Sequence, residues 1–473
     1  MEDAPVTPPP DAARGPVLRR WAILLGISVA AGLLGRWGGL EPLQAMSTSV
    51  FLAILLGTLF FWEFRLAIAF LGVAVLIFTK ALNIPHFVEA AALPVILFLV
   101  GMMIVVGALR DLGFFTWVVQ LILSIPRITG RKFMAVAATA SALLACVVDE
   151  VTSIIFISAL IFQVCGRLKL NPTPYLIICV LCTNVGSAGT MMGNPVGIYI
   201  GTQAGFTFQD FMVWAFPVML VSLAATVALT LFWYRRELRE FDAALQDRLR
   251  RHLSLVSRVD IPYQRGVAVL LFTLAMIASH HALETWLGLD RNSILLVAPL
   301  ICAGVIMIAK RDRARHYVER EVDWWTLLFF MLLFAIAGTL EYTGVTTRAA
   351  EAVASRFGTR TVVLVPAIMT MSALGSAFVD NVIFVAAASP VIHELGKTVP
   401  AMPLWWALLF GACFGGNITL IGSTANIVAL GMLEKHSHVH IRFWDWLRIG
   451  FLSALVACAI ATAALLALAP LMK

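Results

Sequence analysis

The sequence predicts an all-α polytopic membrane protein of about 11 transmembrane helices plus two re-entrant hairpins, in two inverted repeats with interrupted helices. Three observations predict it. The 473-residue chain is 60% hydrophobic and 13% charged, with a mean hydropathy of +0.91, outside the range of soluble domains. Two long regions, 133–205 and 360–433, are apolar but broken by glycine, asparagine and hydroxyl residues. The second of them repeats the plan of the first.

In chain order, residues 1–20 (MEDAPVTPPPDAARGPVLRR) are polar and Pro-rich, and read as a disordered cytoplasmic tail without a cleavable signal. Residues 21–94 form N-terminal scaffold spans, with apolar runs at 21–41, 45–61, 64–82 and 92–110. Repeat 1 covers 95–233, with a hairpin at 133–165 and a broken helix at 172–205. A cytoplasmic loop at 234–264 and two linking spans within 265–322 lead to repeat 2 at 323–473, with a hairpin at 360–396 and a broken helix at 401–433.

The repeat rests on aligned residues. GALRDLG, ending at Gly113, is matched by GTLEYTG, ending at Gly344. Asp149 in CVVDEVTS aligns with Asp380 in AFVDNVIF at an offset of 231, and TMMGNPVGI from Thr190 aligns with TLIGSTANI from Thr419 at an offset of 229. Charge supplies the orientation. RITGRK from Arg127 and GRLK from Gly166 are both basic, so the apolar stretch between them leaves and returns to one side. With the N-terminus cytoplasmic and the C-terminus outside, only Arg36, Lys80, Arg291, Arg348, Arg356, Arg360, Lys397 and Lys473 of the 34 Lys and Arg face outward. The two hairpins then open to opposite sides, an arrangement that brings interrupted helices together near the bilayer midplane.

Several features read as structural. The seven cysteines lie in apolar segments and behave as small core residues; Cys179 and Cys182 form a C-x-x-C that helix packing explains better than redox chemistry. The net charge of +7 belongs to short loops between spans, so it reports topology and gives no nucleic-acid partner. The arginine-rich loop 234–264 reads as a solvated connector, with an anionic-lipid or partner surface as the alternative. HSHVH from His436 offers no closed metal-ligand set, and most of the thirteen tryptophans, including Trp324, Trp325, Trp405, Trp406 and Trp446, read as interfacial anchors.

The chemistry sits in the breaks. Carboxylates at membrane depth are expensive and point to function; Asp149 and Asp380 lead, with Glu150 weaker because its repeat counterpart is Asn381. Thr152 completes the first tip. In the first break Asn184, Ser187, Thr190 and Asn194 supply neutral donors and acceptors, with Gly186, Gly189, Gly193, Pro195 and Gly197 interrupting the helix. In the second, Asn417, Thr419, Ser423, Thr424 and Asn426 do so, with Gly415, Gly416 and Gly422. Small-residue packing explains these glycines but not the amides and hydroxyls. No nucleotide-binding motif supports ATP-driven pumping, and no Ser/His or H-E-x-x-H arrangement supports a hydrolase, so the chain is not expected to be an enzyme.

CVVDEVTS, CTNVGSAGTMMGNPVGIYIG, SAFVDNVIF and GACFGGNITLIGSTANIVALG resemble the paired motifs of the ArsB/NhaD-type permeases. These belong to the ion transporter superfamily with its citrate-transporter-like domain, which includes arsenite permeases, Na+/H+ antiporters and the melanosomal P protein. The resemblance implies a homodimer in the bilayer, here the bacterial inner membrane, in which a mobile domain carries the site across by an elevator motion. It places ligand contacts at Asp149 to Thr152, Asp380 to Ile383 and the turns around Asn194 and Asn426. It implies secondary transport coupled to H+ or Na+ without a cofactor, most simply export of arsenite or a related small oxyanion or oxyacid. Na+/H+ antiport is the alternative, followed by a Na+-coupled di- or tricarboxylate or other anion carrier; outside that class stands an ion channel. A separate ATPase partner is not inferable. Two departures stand out: Asp-Glu at the first tip where the family often has Asp-Asn, and Gly-Asn-Pro-Val-Gly at the first turn where relatives have Gly-Asp-Pro-Pro-Asn. Gly197 therefore lacks the side chain of Asn426.

Overall fold

The computed structural model describes residues 14–125, 129–250, 262–437 and 441–472. Most of the expected tail lies outside them, as do residues 126–128 of the first basic loop, 251–261 of the connector and 438–440 of the histidine tract. The described residues divide into two compact units, one taking the chain to Ala91 plus Leu328–Ala349 and the other taking Ala92–Leu327 plus Ala350 onward.

The first unit contains α1 (Arg14–Trp37), α2 (Pro42–Phe60), α3 (Arg65–Phe78) and α4 (Ile84–Ala90), together with most of α18 (Trp324–Tyr342) and the start of α19 (Val345–Phe357). Glycines set how closely its helices approach. A Cβ at Gly57 would lie 2.6 Å from Ile68, and one at Gly72 would lie 3.0 Å from Ile54, so α2 and α3 pack with little between them. Arg65 is 6% exposed and lies 3.9 Å from the Trp62 ring centroid, a cation placed on an aromatic face.

The second unit begins with α5 (Leu93–Asp111), α6 (Phe114–Leu123), α7 (Gly130–Val147), α8 (Glu150–Leu168), α9 (Thr173–Gly186) and α10 (Pro195–Ala204). It continues through α11 (Phe208–Asp210), α12 (Phe216–Trp233), α13 (Arg235–Arg250), α14 (Gln264–Ala278), α15 (His280–Leu287), α16 (Ser293–Ala309) and α17 (Ala314–His316). After α18 (Trp324–Tyr342) and α19 (Val345–Phe357), the second repeat supplies α20 (Thr361–Phe378), α21 (Asn381–Leu395), α22 (Ala401–Gly415), α23 (Thr424–Ser437) and α24 (Phe443–Leu468).

Among the described residues, eight helices are long and apolar enough to cross a membrane, or ten if two bent pairs each count as one span. The sequence count differs in part because the halves of the broken helices α9–α10 and α22–α23, and the 14-residue α3, are too short. The hairpin arms α7, α8 and α20 are themselves long and apolar enough to be counted. One linking span is bent by 55° between α14 and α15, and Arg311–Glu321 turns 110° away from α16 as short helical turns.

The repeat is visible atom by atom. α7 and α8 form one hairpin and α20 and α21 the other, each pair meeting at a two-residue tip, 148–149 and 379–380. The breaks fall at 187–194 and 416–423. Thr190 Oγ1 donates to the carbonyl of Cys146, and Thr419 Oγ1 donates to that of Ala377, so each break is tied to its own hairpin arm at the equivalent residue. A Cβ at Gly186 would lie 2.3 Å from Ala142 O, and one at Gly415 would lie 2.4 Å from Ala373 O. Backbone meets backbone at both crossings, which only glycine allows.

Two readings need correction. Residues 235–250 are not a solvated connector. α13 buries Leu238, Phe241 and Leu245; Phe241 stacks on Phe133 at 5.3 Å, and Asp242 Oδ1 accepts from Gly130 N at 2.6 Å, capping α7. The arginines hid this stripe, because a helix is read as solvated when its charged face dominates its average. Nor are all the tryptophans interfacial: Trp324 and Trp325 are exposed, but Trp405, Trp406 and Trp446 are buried, Trp406 against Phe206 and Phe211. His436 stacks on Phe162 at 4.6 Å.

Candidate functional site

Four helix N-termini are built around the tips and breaks. Asp149 accepts from Thr152 N at 2.7 Å and starts α8; Asp380 accepts from Val382 N at 3.0 Å and starts α21. Asn194 accepts from Gly197 N at 2.8 Å and starts α10, while Ser423 Oγ accepts from Ala425 N at 3.2 Å at the start of α23. Asp, Asn and Ser cap because a short side-chain oxygen reaches the free N–H groups of a first helical turn.

The caps are joined across the repeats. Glu150 N donates to Gly193 O at 3.1 Å, fixing the first tip on the first break, and Thr424 Oγ1 donates to Asp380 Oδ2 at 2.7 Å, fixing the second tip on the second. Asn184 is the hub. Its Nδ2 donates to Asn417 Oδ1 and to Asn426 Oδ1, both at 2.8 Å, and its Oδ1 accepts from Ser423 Oγ at 3.0 Å. Ser423 Oγ also lies 3.4 Å from Glu150 Oε1. One tip and both breaks therefore share a single buried network.

The geometry sorts the residues expected from sequence. Glu150, Asn184, Asn417, Ser423 and Asn426 come together, and Asp380 joins them through Thr424, which adjoins Ser423. Asn194 donates to Ser187 Oγ at 3.0 Å and to Cys413 Sγ at 3.1 Å. Asn426 Nδ2 donates to Gly416 O at 2.8 Å and Thr419 O at 2.9 Å. Asp149 and Thr152 are bonded to each other at the first tip, and Asp149 is only half-buried; the more central carboxylate is Glu150, 3% exposed. Gly193 and Gly422 close the breaks, where a Cβ would lie 2.2 Å from Ser187 O and 2.7 Å from Gly416 O.

Most of the amides are thus committed to each other. Two tip oxygens are not. Glu150 Oε2 and Asn381 Oδ1 are buried without a hydrogen-bond partner, and these two residues are equivalent in the repeat. Oxygens of this kind suit a proton or a hard cation. Among the described residues of this unit, no lysine or arginine is buried. The described residues contain no cluster of three or more His, Cys, Asp or Glu able to hold a metal ion.

The sequence missed Cys413 and Trp446 as neighbours of the breaks. Cys413 occupies the repeat position of Asn184, a signal that was available.

Comparison with known proteins places this arrangement. The citrate transporter (CitMHS) family profile matches residues 51–411. The chain belongs to the CitMHS family. This family member is 33% identical over 376 residues to an uncharacterized transporter of Mycobacterium tuberculosis, an alignment covering 78% of this chain and 84% of the relative. It is 27% identical over 461 residues to the mouse (Mus musculus) P protein, covering 80% of this chain and 54% of that protein. Among solved structures, the YdaH transporter of Alcanivorax borkumensis, described as having an unusual topology, superposes with a TM-score of 0.56 at 16% identity, covering 85% of this chain and 89% of that one. The protein is a multi-pass membrane transporter and not an enzyme.

Proposed function

We propose that this CitMHS member is a secondary active transporter in which Glu150 and Asp380 hold the coupling cation, H+ or Na+, between the two hairpin tips. The observation that carries this reading is the pairing of carboxylates from both repeats, Glu150 and Asp380, both buried and bonded to the adjacent Ser423 and Thr424. Hydrogen counting favours a proton at Glu150. Ser423 Oγ has one hydrogen to give and two acceptors in reach, Asn184 Oδ1 at 3.0 Å and Glu150 Oε1 at 3.4 Å. If Glu150 carries a proton, it donates to Ser423 and Ser423 donates to Asn184, so the competition for the single Ser423 hydrogen is removed. When that proton leaves, two acceptors compete for one hydrogen, so ionisation at Glu150 is felt at the junction of the two breaks.

The cargo that suits such a site is small and uncharged or cationic. A neutral oxyacid of the arsenite type, exported by elevator-type alternating access, meets that requirement. A citrate-like anion would have to bring a cation such as Na+ to offset the carboxylates. Na+/H+ antiport is the second reading, favoured by the engagement of the amides of Asn184, Asn194, Asn417 and Asn426 in hydrogen bonds within the protein, which leaves few neutral donors for a cargo.

The test is transport by purified protein in proteoliposomes against arsenite, silicate, sulfate, dicarboxylates and Na+. Arsenite counterflow that depends on a proton or sodium gradient is the expected result. Proton movement driven by Na+ with no oxyacid present would replace it with antiport, and wild-type coupling in Glu150→Gln would remove Glu150 from the site.

A further inference from the structure

We propose that Trp446 is a positioning residue that sets the affinity of the carboxylate site for its coupling ion, acting through Asn417. The inference rests on the ion-coupled reading above and adds a part of the molecule that this reading does not use. Trp446, Gly450 and Ser453 are spaced by four and three residues, so they share one face of α24. That face holds one residue of the second break. The buried indole N–H of Trp446 donates to Asn417 O at 3.0 Å. Gly450 lets the helix come close enough, since a Cβ there would lie 2.2 Å from the same oxygen. Ser453 Oγ accepts from Asn417 Nδ2 at 3.4 Å.

Asn417 passes this constraint inward. Its Oδ1 is one of the two oxygens that orient Asn184 Nδ2, and Asn184 Oδ1 faces Ser423, which faces Glu150. A continuous line of hydrogen bonds therefore runs from α24 to the carboxylate. The first break has a different neighbour: a Cβ at Gly189 would lie 2.7 Å from the methyl of Met219 on α12, an apolar contact that fixes no orientation. Supporting groups of this sort tune a site without touching its ligand, because they decide how far the contacting groups can relax.

Trp446→Phe keeps an aromatic ring and removes the donor. The expected result is a shift of about fivefold in the H+ or Na+ concentration giving half-maximal transport, with maximal rate unchanged. A merely structural role would lower the thermal unfolding midpoint in detergent or the rate and leave the ion dependence alone, and that result overturns the proposal. Should Trp446→Phe fail to insert, Ser453→Ala tests the same face with a smaller change and is expected to shift the ion dependence about twofold in the same direction; a wild-type value there also overturns it. Glu150→Gln, assayed in parallel, separates the two levels. Wild-type ion dependence in Glu150→Gln defeats the coupled-site reading itself, whereas altered dependence there with a wild-type value in Trp446→Phe defeats only the role of Trp446.

Discussion

The two breaks share one backbone and spend their side chains differently. Gly193 N donates to Thr190 O at 3.4 Å and Gly422 N to Thr419 O at 3.4 Å; Gly197 N donates to Asn194 O and Asn426 N to Ser423 O, both at 3.1 Å. On that common frame, the second break places Asn426, whose amide closes its own turn and receives Asn184. The first break has Gly197, and a Cβ there would lie 2.9 Å from Met191 O and Thr190 O. At the tips the asymmetry runs the other way, with Glu150 in the first where the second has Asn381. The duplication thus fixes where the polar groups stand, and divergence decides which half carries charge and which half organises it.

The largest expected effect tests the shared frame. Gly186→Ala and Gly415→Ala each drive a methyl into backbone, at Ala142 and Ala373 respectively. Both should lose folded protein on size-exclusion in detergent, at a cost of several kcal/mol. A well-folded Gly415→Ala beside a lost Gly186→Ala would show that the crossings are not equivalent.

Next come the tips. Asp380→Ala should abolish coupled transport, a loss of more than about tenfold, while membrane insertion is retained. Asp149→Asn, which keeps a capping oxygen for Thr152 N, should stay within about twofold of wild type. Equal losses would make Asp149 as central as Asp380.

Glu150→Asn converts the first tip to the sequence of the second. Transport should persist with weakened dependence on the driving ion, read as a flatter response to an imposed pH or Na+ gradient; an unchanged response would give the coupling to the second tip alone. The smallest effect is expected when the missing amide is moved. Asn426→Gly removes one of the two acceptors of Asn184 and the donor to Gly416 O and Thr419 O, and should destabilise by about 1–3 kcal/mol, measured as a lowered unfolding midpoint. Gly197→Asn should not compensate for it, because the side chain has no space beside Met191 and Thr190.

How much of this could be read beforehand depends on the kind of information. Span positions were legible because a bilayer imposes a length and a polarity on every crossing. The repeat was legible because Thr190 and Thr419 must reach equivalent carbonyls, which holds their spacing to the tips nearly constant. The division of labour among the amides was not, since composition cannot tell an asparagine with a spare donor from one committed to a neighbour 233 residues away, as Asn184 is to Asn417. Trp446 was misread for a similar reason: a tryptophan near a span end looks the same whether it faces lipid headgroups or the carbonyl of another helix. Leu238, Phe241 and Leu245 were in plain view at helical spacing but were outweighed by the surrounding arginines.

The glycine crossings have a mechanical consequence. Side chains between two helices act as a compliant layer, because rotamer changes absorb small slips. Where Gly186 lies on Ala142 and Gly415 on Ala373, that layer is missing and the contact is stiff. Each hairpin arm and its broken helix are therefore geared together without backlash, so a load applied to one is transmitted to the other, and any yielding must occur at joints elsewhere.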